Sequence, residues 1–349
     1  MSELNKPAAW FTKEMGAAFL LFATLPLWIP FLKLSVANGT ELLIYATFAL
    51  GFNLLMGYTG LPSFGHAAFF GVGAYAMGLT QVHLSTNLWI GLLCAIGTAM
   101  LIGGIVATFI SHRRGIYFSL MTIAFCQVIW FTTLKWRSLT GAEDGLAIRN
   151  RPAAEFGFTT LSLADQKTFY FFCLATFCIV ILFLWKLVHS YFGKVIRAIK
   201  QNEMRAQFVG YNVWAYKWVS FTISAGIAGL AGAQLFLLQK AAYPNEMELQ
   251  RSGQVVMMTI IGGGLVSFWG PVIGAVIFLL AKQVLSNFTP AWQLWFGLLF
   301  MLIVLFKPEG VAGIWQDLRA KFKMQKAKGK MNGTAADVAV EELAASEKS

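Results

Sequence analysis

The polar residues that lie inside apolar stretches of this sequence are its first candidates for chemistry. Asn53, Ser63, His66 and Gln127 each have mainly aliphatic, aromatic or small neighbours. An imidazole can carry a proton or contact a substrate, whereas amides inside a membrane bond across helices or line a path. A lone histidine among Ala and Phe is also typical of a hydrogen bond that helps helices to pack. We take these four residues as candidates for a translocation path, and the packing interpretation stays open for each.

The spacing of the reactive residue types predicts no enzyme active site. The sequence contains no cluster of His, Asp and Glu, no CxxC pair among its four cysteines, and no GxxxxGK[ST] phosphate-binding loop. We therefore expect no catalytic residue, no metal and no cofactor bound by this chain. The apolar stretches also lack chains of ionisable residues, with Glu41 and Lys282 near the ends of two of them. This argues against intrinsic proton or ion coupling.

Two glycine-rich segments interrupt the apolar pattern. The first reads GYTGLPSFGHAAFFGVGAY (57–75) and the second reads IGGGLVSFWGP (261–271), which contains Gly263 and Gly264. Gly and Pro are poor helix-interior residues, and Pro62 also removes a backbone donor. Freed backbone groups at membrane depth are typical of transporter helices that are broken around a substrate path. A turn between two spans explains the first break nearly as well, and Gly263 and Gly264 join the path candidates.

Small residues recur at helical spacing in two places. The first stripe is Ala67, Gly71, Ala74 and Gly78, and the second is Ala225, Gly229 and Gly232. In a membrane such stripes allow close approach of a neighbouring helix. Tight helix packing is therefore the expected role of both stripes.

The elements that must position these residues are membrane-spanning helices. The 349 residues are 57% hydrophobic and only 12% charged, and a soluble domain carries roughly twice that charged fraction. A bilayer needs about 20 apolar residues per helix. The sequence therefore predicts an all-α, polytopic transmembrane bundle, with apolar runs at 15–32, 41–57, 63–82, 87–110, 116–134, 168–189, 217–239, 253–284 and 291–307.

Basic residues predict the orientation. The interval 190–216, the loop with Arg113 and Arg114, and the tail after residue 318 are rich in Lys and Arg, which favours the cytoplasmic side. All three reach that side if 253–284 splits at 261–271, which gives about ten crossings with broken or re-entrant segments and both termini inside. The net charge of +11 thus reflects topology, and we expect no nucleic-acid partner.

The same scheme divides the chain into regions. The predicted regions are a cytoplasmic N-terminus at 1–14, a permease-like membrane domain at 15–315 with an outer loop at 135–167 and an inner loop at 190–216, and a basic, then disordered, cytoplasmic tail at 316–349.

The inner loop predicts a short amphipathic helix. Val195, Ile196 and Ile199 form a short apolar face among basic residues, and Gly210 is a plausible helix C-terminus. Such a helix lies on the membrane surface or docks in the groove of a partner. The composition does not choose between these two.

Several segments together resemble the branched-chain amino acid permeases of ABC importers, in particular the M-type member of the permease pair. GYTGLPSFGHAAFFGVGAY is similar to the glycine-rich GYxGQxSLGHAAFFGxGAY of that family, and RGIYFSLMTIAFCQ is similar to RGxYFAMxTLAFAQ. Further resemblances lie at 139–152, 193–233, 251–275 and 307–313.

The resemblance implies a subunit of the bacterial inner membrane without its own ATPase site. Its implied partners are a second permease subunit, two ATP-binding subunits that hydrolyse ATP, and a periplasmic substrate-binding protein that meets the outer loop. It also implies that the inner loop docks on the ATPase. The residues carried over for that coupling loop are Arg197, Asn202, Glu203, Arg205, Ala206 and Gly210.

Departures from the family pattern leave the cargo open. Leu61 stands for the usual Gln, Phe64 for Leu, and Ala142 and Val266 for Gly. We expect a branched-chain or related hydrophobic amino acid. The alternatives are urea or a short-chain amide as cargo, and a stand-alone secondary carrier or channel.

Overall fold

A computed structural model describes residues 35–149, 151–155, 160–265 and 267–306, together with Phe22, Thr24, Gly310, Val311 and Gly313. The regions 1–14 and 316–349 lie outside the described residues, and so does the predicted first span, 15–32, except for Phe22 and Thr24. Both of these are helical, and the Tyr170 hydroxyl donates to Phe22 O at 2.6 Å. Val266, one of the departures from the family pattern, is also outside the described part.

The described chain is mainly helical, as the sequence predicts. Two helices continue as π-helical turns: Val36–Asn53 continues as Leu54–Thr59, and Ala67–Leu79 continues as Thr80–Leu84. The helices are α1 (Val36–Asn53), α2 (Ala67–Leu79), α3 (Leu88–Ile110), α4 (Gly115–Lys135), α5 (Arg137–Thr140), α6 (Gln166–His189), α7 (Tyr191–Gln201), α8 (Glu203–Phe208), α9 (Val213–Gln239), α10 (Leu249–Gly262), α11 (Gly270–Phe288) and α12 (Trp292–Phe306).

Within the described residues, strand structure is confined to four two-residue segments. They are β1 (Leu146–Ala147), β2 (Ala154–Glu155), β3 (Thr160–Leu161) and β4 (Ala241–Ala242). Strand β1 pairs with β4 and β2 pairs with β3, both antiparallel, with Leu146 opposite Ala242 in the first pair.

Six helices in the described residues are long and apolar enough to cross a membrane. They are Val36–Thr59, Leu88–Ile110, Gly115–Lys135, Gln166–His189, Val213–Gln239 and Gly270–Phe288, and the shorter apolar helix is Trp292–Phe306. Their boundaries lie within about five residues of the apolar runs, except that Gly270–Phe288 covers only the second part of the run 253–284, whose first part is α10. The helix of the run 63–82 begins at Ala67, because residues 60–66 are not regular helix.

Helix α9 occupies the centre of the bundle and packs against α1, α2 and α3. Most of α1 and α9 is buried, whereas less than a third of α4 and of α11 is buried in the isolated chain. The apolar exposed faces fit a lipid environment or neighbouring subunits.

Glycines bring α2 and α9 into backbone contact. A Cβ atom at Gly73 would overlap Gly229 O, and a Cβ atom at Gly232 would overlap Phe70 O. Close packing of the second stripe is thus confirmed. In the first stripe, Ala74 and Gly78 also lie against α9, whereas Gly71 faces Met247, and the closest contacts of α2 with α9, at Phe70 and Gly73, lie outside the stripe.

Substitution of Gly232 by valine should disrupt this contact. The added side chain would meet the Phe70 backbone, so α2 and α9 must separate, and overpacking of this kind costs roughly 1–3 kcal/mol. We expect a lower thermal midpoint for purified Gly232→Val in detergent, measured by the loss of the monodisperse peak on size exclusion. Gly97→Val is the control because Gly97 has no atom near its Cβ position. Equal losses in both variants would contradict the packing role.

The predicted outer loop folds against the end of α9. The Arg151 guanidinium donates to Leu237 O at 2.7 Å and to Leu238 O at 3.1 Å, and it stacks 4.5 Å from the Phe169 ring centroid. A cation at the carbonyl end of a helix is favourable.

Ala142, which replaces a family glycine, has φ +54, the left-handed conformation in which glycine costs least.

The second glycine-rich segment is a true break, as predicted. Helix α10 ends at Gly262, Gly263 has φ +83, and α11 begins at Gly270 with Pro271 in its first turn. Gly263 N donates to Ile260 O and Gly264 N to Thr259 O, at 2.9 and 2.8 Å. This pair of hydrogen bonds is the Schellman ending of a helix, which requires positive φ.

Candidate functional site

The predicted amphipathic helix is α7, and with α8 it forms what we call the α7–α8 unit (191–210). Val195, Ile196 and Ile199 are buried, which confirms the predicted apolar face. Val195 and Ile199 pack with Ala206 and Val213 in a small cluster separate from the main core. The unit therefore has its own apolar anchor, and the Ala206 side chain supports the unit from within.

Local hydrogen bonds fix the shape of the unit. The Asn202 side chain accepts from Arg205 N at 2.9 Å and so caps the start of α8. Gly210, with φ +95, donates to Gln207 O, and Tyr211 N donates to Ala206 O. Gly210 thus ends the helix in a Schellman motif, as predicted.

A basic side chain joins the unit to the preceding span. Arg197 Nε donates to Gly193 O at 3.1 Å, and its Nη2 donates to Val188 O at 3.0 Å. Val188 lies in the last turn of α6, where carbonyls lack helical partners. Arg197 therefore fastens α7 to the end of α6.

The outer surface of α8 is exposed and partly apolar. Met204, Phe208 and Val209 are exposed, and the Phe208 side chain is 83% exposed. Arg205 is exposed beside them. Apolar side chains presented next to a cation on a short helix are typical of a surface that a partner covers.

Glu203 points into the protein and joins three elements. Its carboxylate lies 3.1 Å from Arg114 Nε and 2.5 Å from Lys217 Nζ, which belong to the starts of α4 and α9. The Lys217 side chain is 1% exposed, and its Nζ also donates to Arg113 O at 3.2 Å. Glu203 thus links the α7–α8 unit to two spans, which the sequence did not indicate.

Lys200 links the unit to both glycine-rich breaks. Its Nζ donates to Gly57 O at 2.7 Å and to Leu265 O at 3.4 Å. Gly57 lies in the π-helical turn after α1, and Leu265 lies in the turn after α10. Partial burial lowers the pKa of the Lys200 ammonium, because removal from water disfavours the charged form.

The two breaks meet at what we call the glycine junction, formed by Asn53, Gly57 and Gly264. A Cβ atom at Gly57 would overlap Asn53 Oδ1 and lie 2.6 Å from Gly264 O. A Cβ atom at Gly264 would lie 2.6 Å from Asn53 Oδ1. The Asn53 side chain is buried, and neither of its amide atoms has a hydrogen-bond partner among the described residues. Two of the path candidates, Asn53 and Gly264, thus come together here, and Gly263 precedes Gly264 in the same turn.

His66 lies apart from the junction, in an aromatic cage. It is fully buried among the rings of Phe48, Phe52, Phe69 and Phe221. Ser224 Oγ donates to Gly51 O at 2.6 Å and lies 2.9 Å from His66 Nε2. Because the hydroxyl has one proton, Nε2 must be the donor. These contacts are those of a packing histidine, and a role in a path stays a prediction.

The segment 61–66 packs against α4 before α2 begins. Phe64 N donates to Thr122 Oγ1 at 3.1 Å, and Ser119 Oγ donates to Pro62 O at 2.8 Å. Ser63 is fully buried, and its hydroxyl has no hydrogen-bond partner in the described chain. Non-helical backbone inside the bundle is thus satisfied by hydroxyls of α4.

Gln127 lies on α4, away from the other candidates. It borders a shallow groove with Trp130 and Phe131, and that groove adjoins an apolar cavity of about 460 Å³ between α2, α3 and α4. Tyr75 and Met247 line the cavity, and the Tyr75 hydroxyl is buried without a partner in the described residues. The cavity offers a space for an apolar group with few polar contacts.

The sequence did not indicate one buried ion pair, because its two residues lie between two apolar runs. Arg251 Nη2 lies 2.9 Å from Glu246 Oε1, and Arg251 Nη1 donates to the Tyr45 hydroxyl at 2.7 Å and to Gln254 Oε1 at 3.2 Å. Glu246 is 5% exposed. The chain enters the bundle at Pro244–Met247, just before the start of α10. Residues that the sequence predicts to lie in a loop are therefore buried.

Comparison with known families gives one match that covers most of the chain. The family described as the permease component of the branched-chain amino acid transport system matches residues 39–306. That range contains both glycine-rich breaks and the whole α7–α8 unit.

Curated relatives agree with this match at low identity. Two are the high-affinity branched-chain amino acid transport system permease proteins LivM of Salmonella typhimurium and Escherichia coli, each 24% identical over 84% of this chain and 73% of the relative. A third is the probable branched-chain amino acid transport permease protein LivM of Methanocaldococcus jannaschii, 22% identical over 77% of this chain and 90% of the relative. No solved structure matches the chain significantly.

Proposed function

Since this chain belongs to the family of branched-chain amino acid transport permease components and is a multi-pass membrane transport subunit rather than an enzyme, we propose that it forms the membrane path of an ATP-driven importer. The proposed cargo is a branched-chain or related hydrophobic amino acid. The observation that carries the proposal is the family match over 39–306, which includes an amphipathic unit tied by Lys200 and Glu203 to the spans and breaks.

The proposed partners follow from the exposed side of the α7–α8 unit. We propose that Met204, Arg205, Phe208 and Val209 dock on an ATP-binding subunit, which leaves ATP hydrolysis to the partners and no cofactor on this chain. Support comes from their exposure on a short helix whose inner face is already buried. The complete importer then has a second permease subunit, two ATP-binding subunits and a periplasmic substrate-binding protein.

The proposed topology is ten crossings in the bacterial inner membrane, with both termini in the cytoplasm. Its support is that two of the basic segments, 190–216 and the loop with Arg113 and Arg114, lie at one end of the bundle. Glu203 pairs with Arg114 and Lys217, and Lys200 contacts both Gly57 and Leu265. Gly310 packs against Gly263 at the same end. The positive-inside rule makes this end cytoplasmic.

Two features favour a hydrophobic cargo over urea or a short amide. The relatives are named for branched-chain amino acid transport, and the 460 Å³ cavity is lined mainly by apolar side chains. An aliphatic side chain suits such a lining, whereas urea has no apolar group to place against it.

The test is purification of the chain from its native membrane, followed by uptake in liposomes. We expect a second permease and an ATP-binding subunit to copurify. We also expect leucine uptake to require both ATP and the binding protein. Excess isoleucine should inhibit this uptake, whereas urea should not. A chain that purifies alone and moves leucine without an ATPase would instead be a stand-alone carrier, and inhibition by urea would reassign the cargo.

A further inference from the structure

The glycine junction lies at the end of the bundle that faces the α7–α8 unit. Asn53, Gly57 and Gly264 approach so closely that neither glycine has room for a side chain. Both glycines belong to segments without regular α-helix, the π-helical turn after α1 and the turn after α10. Irregular segments such as these rearrange at a lower free-energy cost than regular helices, because fewer regular hydrogen bonds hold their backbone.

Lys200, in the α7–α8 unit, contacts both segments. Its ammonium donates to Gly57 O and Leu265 O, while its side-chain stem lies over Gly60, with Cγ 2.9 Å from the position of a Cβ there. Gly60 has φ +75, so glycine is favoured both by conformation and by this contact. A single side chain thus contacts both breaks.

The helix that carries Lys200 is held as part of a rigid unit. Ile196 and Ile199, within one turn of Lys200, are buried, and Arg197 is bonded to the end of α6. At the other end of the unit, Glu203 is paired with Lys217 and Arg114. A displacement of the unit would therefore move the Lys200 ammonium relative to the two carbonyls.

We propose that the glycine junction is the inner gate of the path and that Lys200 is the positioning residue through which the α7–α8 unit holds this gate shut. This inference rests on the proposed importer function. When the ATP-binding partners move the unit, the ammonium leaves one or both carbonyls, and the turn at Gly263–Leu265 separates from Asn53. The freed amide of Asn53 then faces the opened path.

The first test removes the ammonium and keeps the stem. In liposomes containing the complete importer, we expect Lys200→Met to hydrolyse ATP within about twofold of wild type while cargo imported per ATP falls about tenfold, a size typical of coupling between sites. We also expect faster leak of preloaded leucine without ATP. Lys200→Arg, which keeps donor groups, should retain most of the coupling.

The matched control is Lys194→Met on the same helix. Lys194 is exposed, and its side chain makes no hydrogen bond or ion pair within the described part of the chain. It should behave as wild type in uptake, hydrolysis and leak. If Lys200 only anchored α7, Lys200→Met would lower the yield of complex but would not change cargo per ATP or leak. That result would overturn the proposal.

A chemical rescue separates the charge from folding. In a chain without other cysteines, Lys200→Cys can be assembled first and then modified with aminoethyl methanethiosulfonate, which restores an ammonium, or with the neutral methyl reagent. We expect only the ammonium reagent to raise cargo per ATP and to reduce leak. Equal effects of the two reagents would contradict the proposal. Lack of ATP-dependent uptake by the wild-type complex would instead reject the importer function itself.

Discussion

Replacement of Glu203 by arginine should nearly abolish uptake by the assembled importer while ATP hydrolysis continues. The substitution breaks the ion pairs to Arg114 and Lys217 and places a third cation between them. Removal of one partner from a buried pair costs roughly 3–5 kcal/mol, and even about 1.4 kcal/mol is a tenfold change in an equilibrium. The measurement is leucine uptake per ATP hydrolysed in liposomes with equal amounts of complex.

Two further variants interpret that result. Gln201→Arg adds a cation at the exposed neighbouring position and should leave coupling intact. The double variant Glu203→Gln with Lys217→Met leaves no buried charge unpaired, so it should assemble even if Glu203→Arg does not. We expect it to stay poorly coupled because the link to Arg114 is also lost. Normal uptake per ATP in Glu203→Arg would remove this residue from the transmission of movement.

Substitution of Arg251 by leucine should cause the largest loss of stability. It leaves the buried Glu246 carboxylate without its cation and removes hydrogen bonds to Tyr45 and Gln254. An uncompensated buried charge costs roughly 3–5 kcal/mol, which for a chain of this size lowers the melting midpoint by about 4–7 °C. The midpoint can be measured by scanning fluorimetry of the purified chain in detergent.

The control for this prediction is Arg205→Leu. Arg205 is exposed, and its side chain has no ion-pair partner within the described residues. We expect its midpoint to stay near that of wild type. The double variant Arg251→Leu with Glu246→Gln should recover most of the loss, since both charges are gone. A similar small shift in Arg251→Leu and Arg205→Leu would show that the pair contributes little.

The two ion pairs differ in what they hold. Arg251 and Glu246 fix the point where the chain enters the bundle and begins α10, so their loss should act on folding. Glu203 holds the α7–α8 unit to the starts of α4 and α9, so its loss should act on the transmission of movement. The ratio of uptake to hydrolysis distinguishes the two roles.

Much of the fold could be predicted from the sequence. Apolar runs of bilayer length identify long helices because hydrocarbon excludes an unpaired backbone, and α3, α4 and α6 begin and end close to the predicted positions. The break at 261–271 and the Schellman ending at Gly210 also follow from the sequence, because glycine adopts positive φ at little cost.

The sequence alone also determined the family. Motifs in a fixed order over much of the chain indicated a branched-chain amino acid permease, and the family match over 39–306 agrees. The buried face of α7 was predicted as well, since Val195, Ile196 and Ile199 lie at helical spacing.

Only the tertiary structure decided which polar groups meet. Lys200 and Gly57 are 143 residues apart, and Lys217 and Arg113 are 104 apart, and no local pattern encodes such pairs. Glu246 and Arg251 read as loop residues because periodicity reports the environment of regular elements, whereas here an irregular segment is buried. The physical reason is that helix formation depends on neighbours within a few residues, while an ion pair depends on how distant helices are packed.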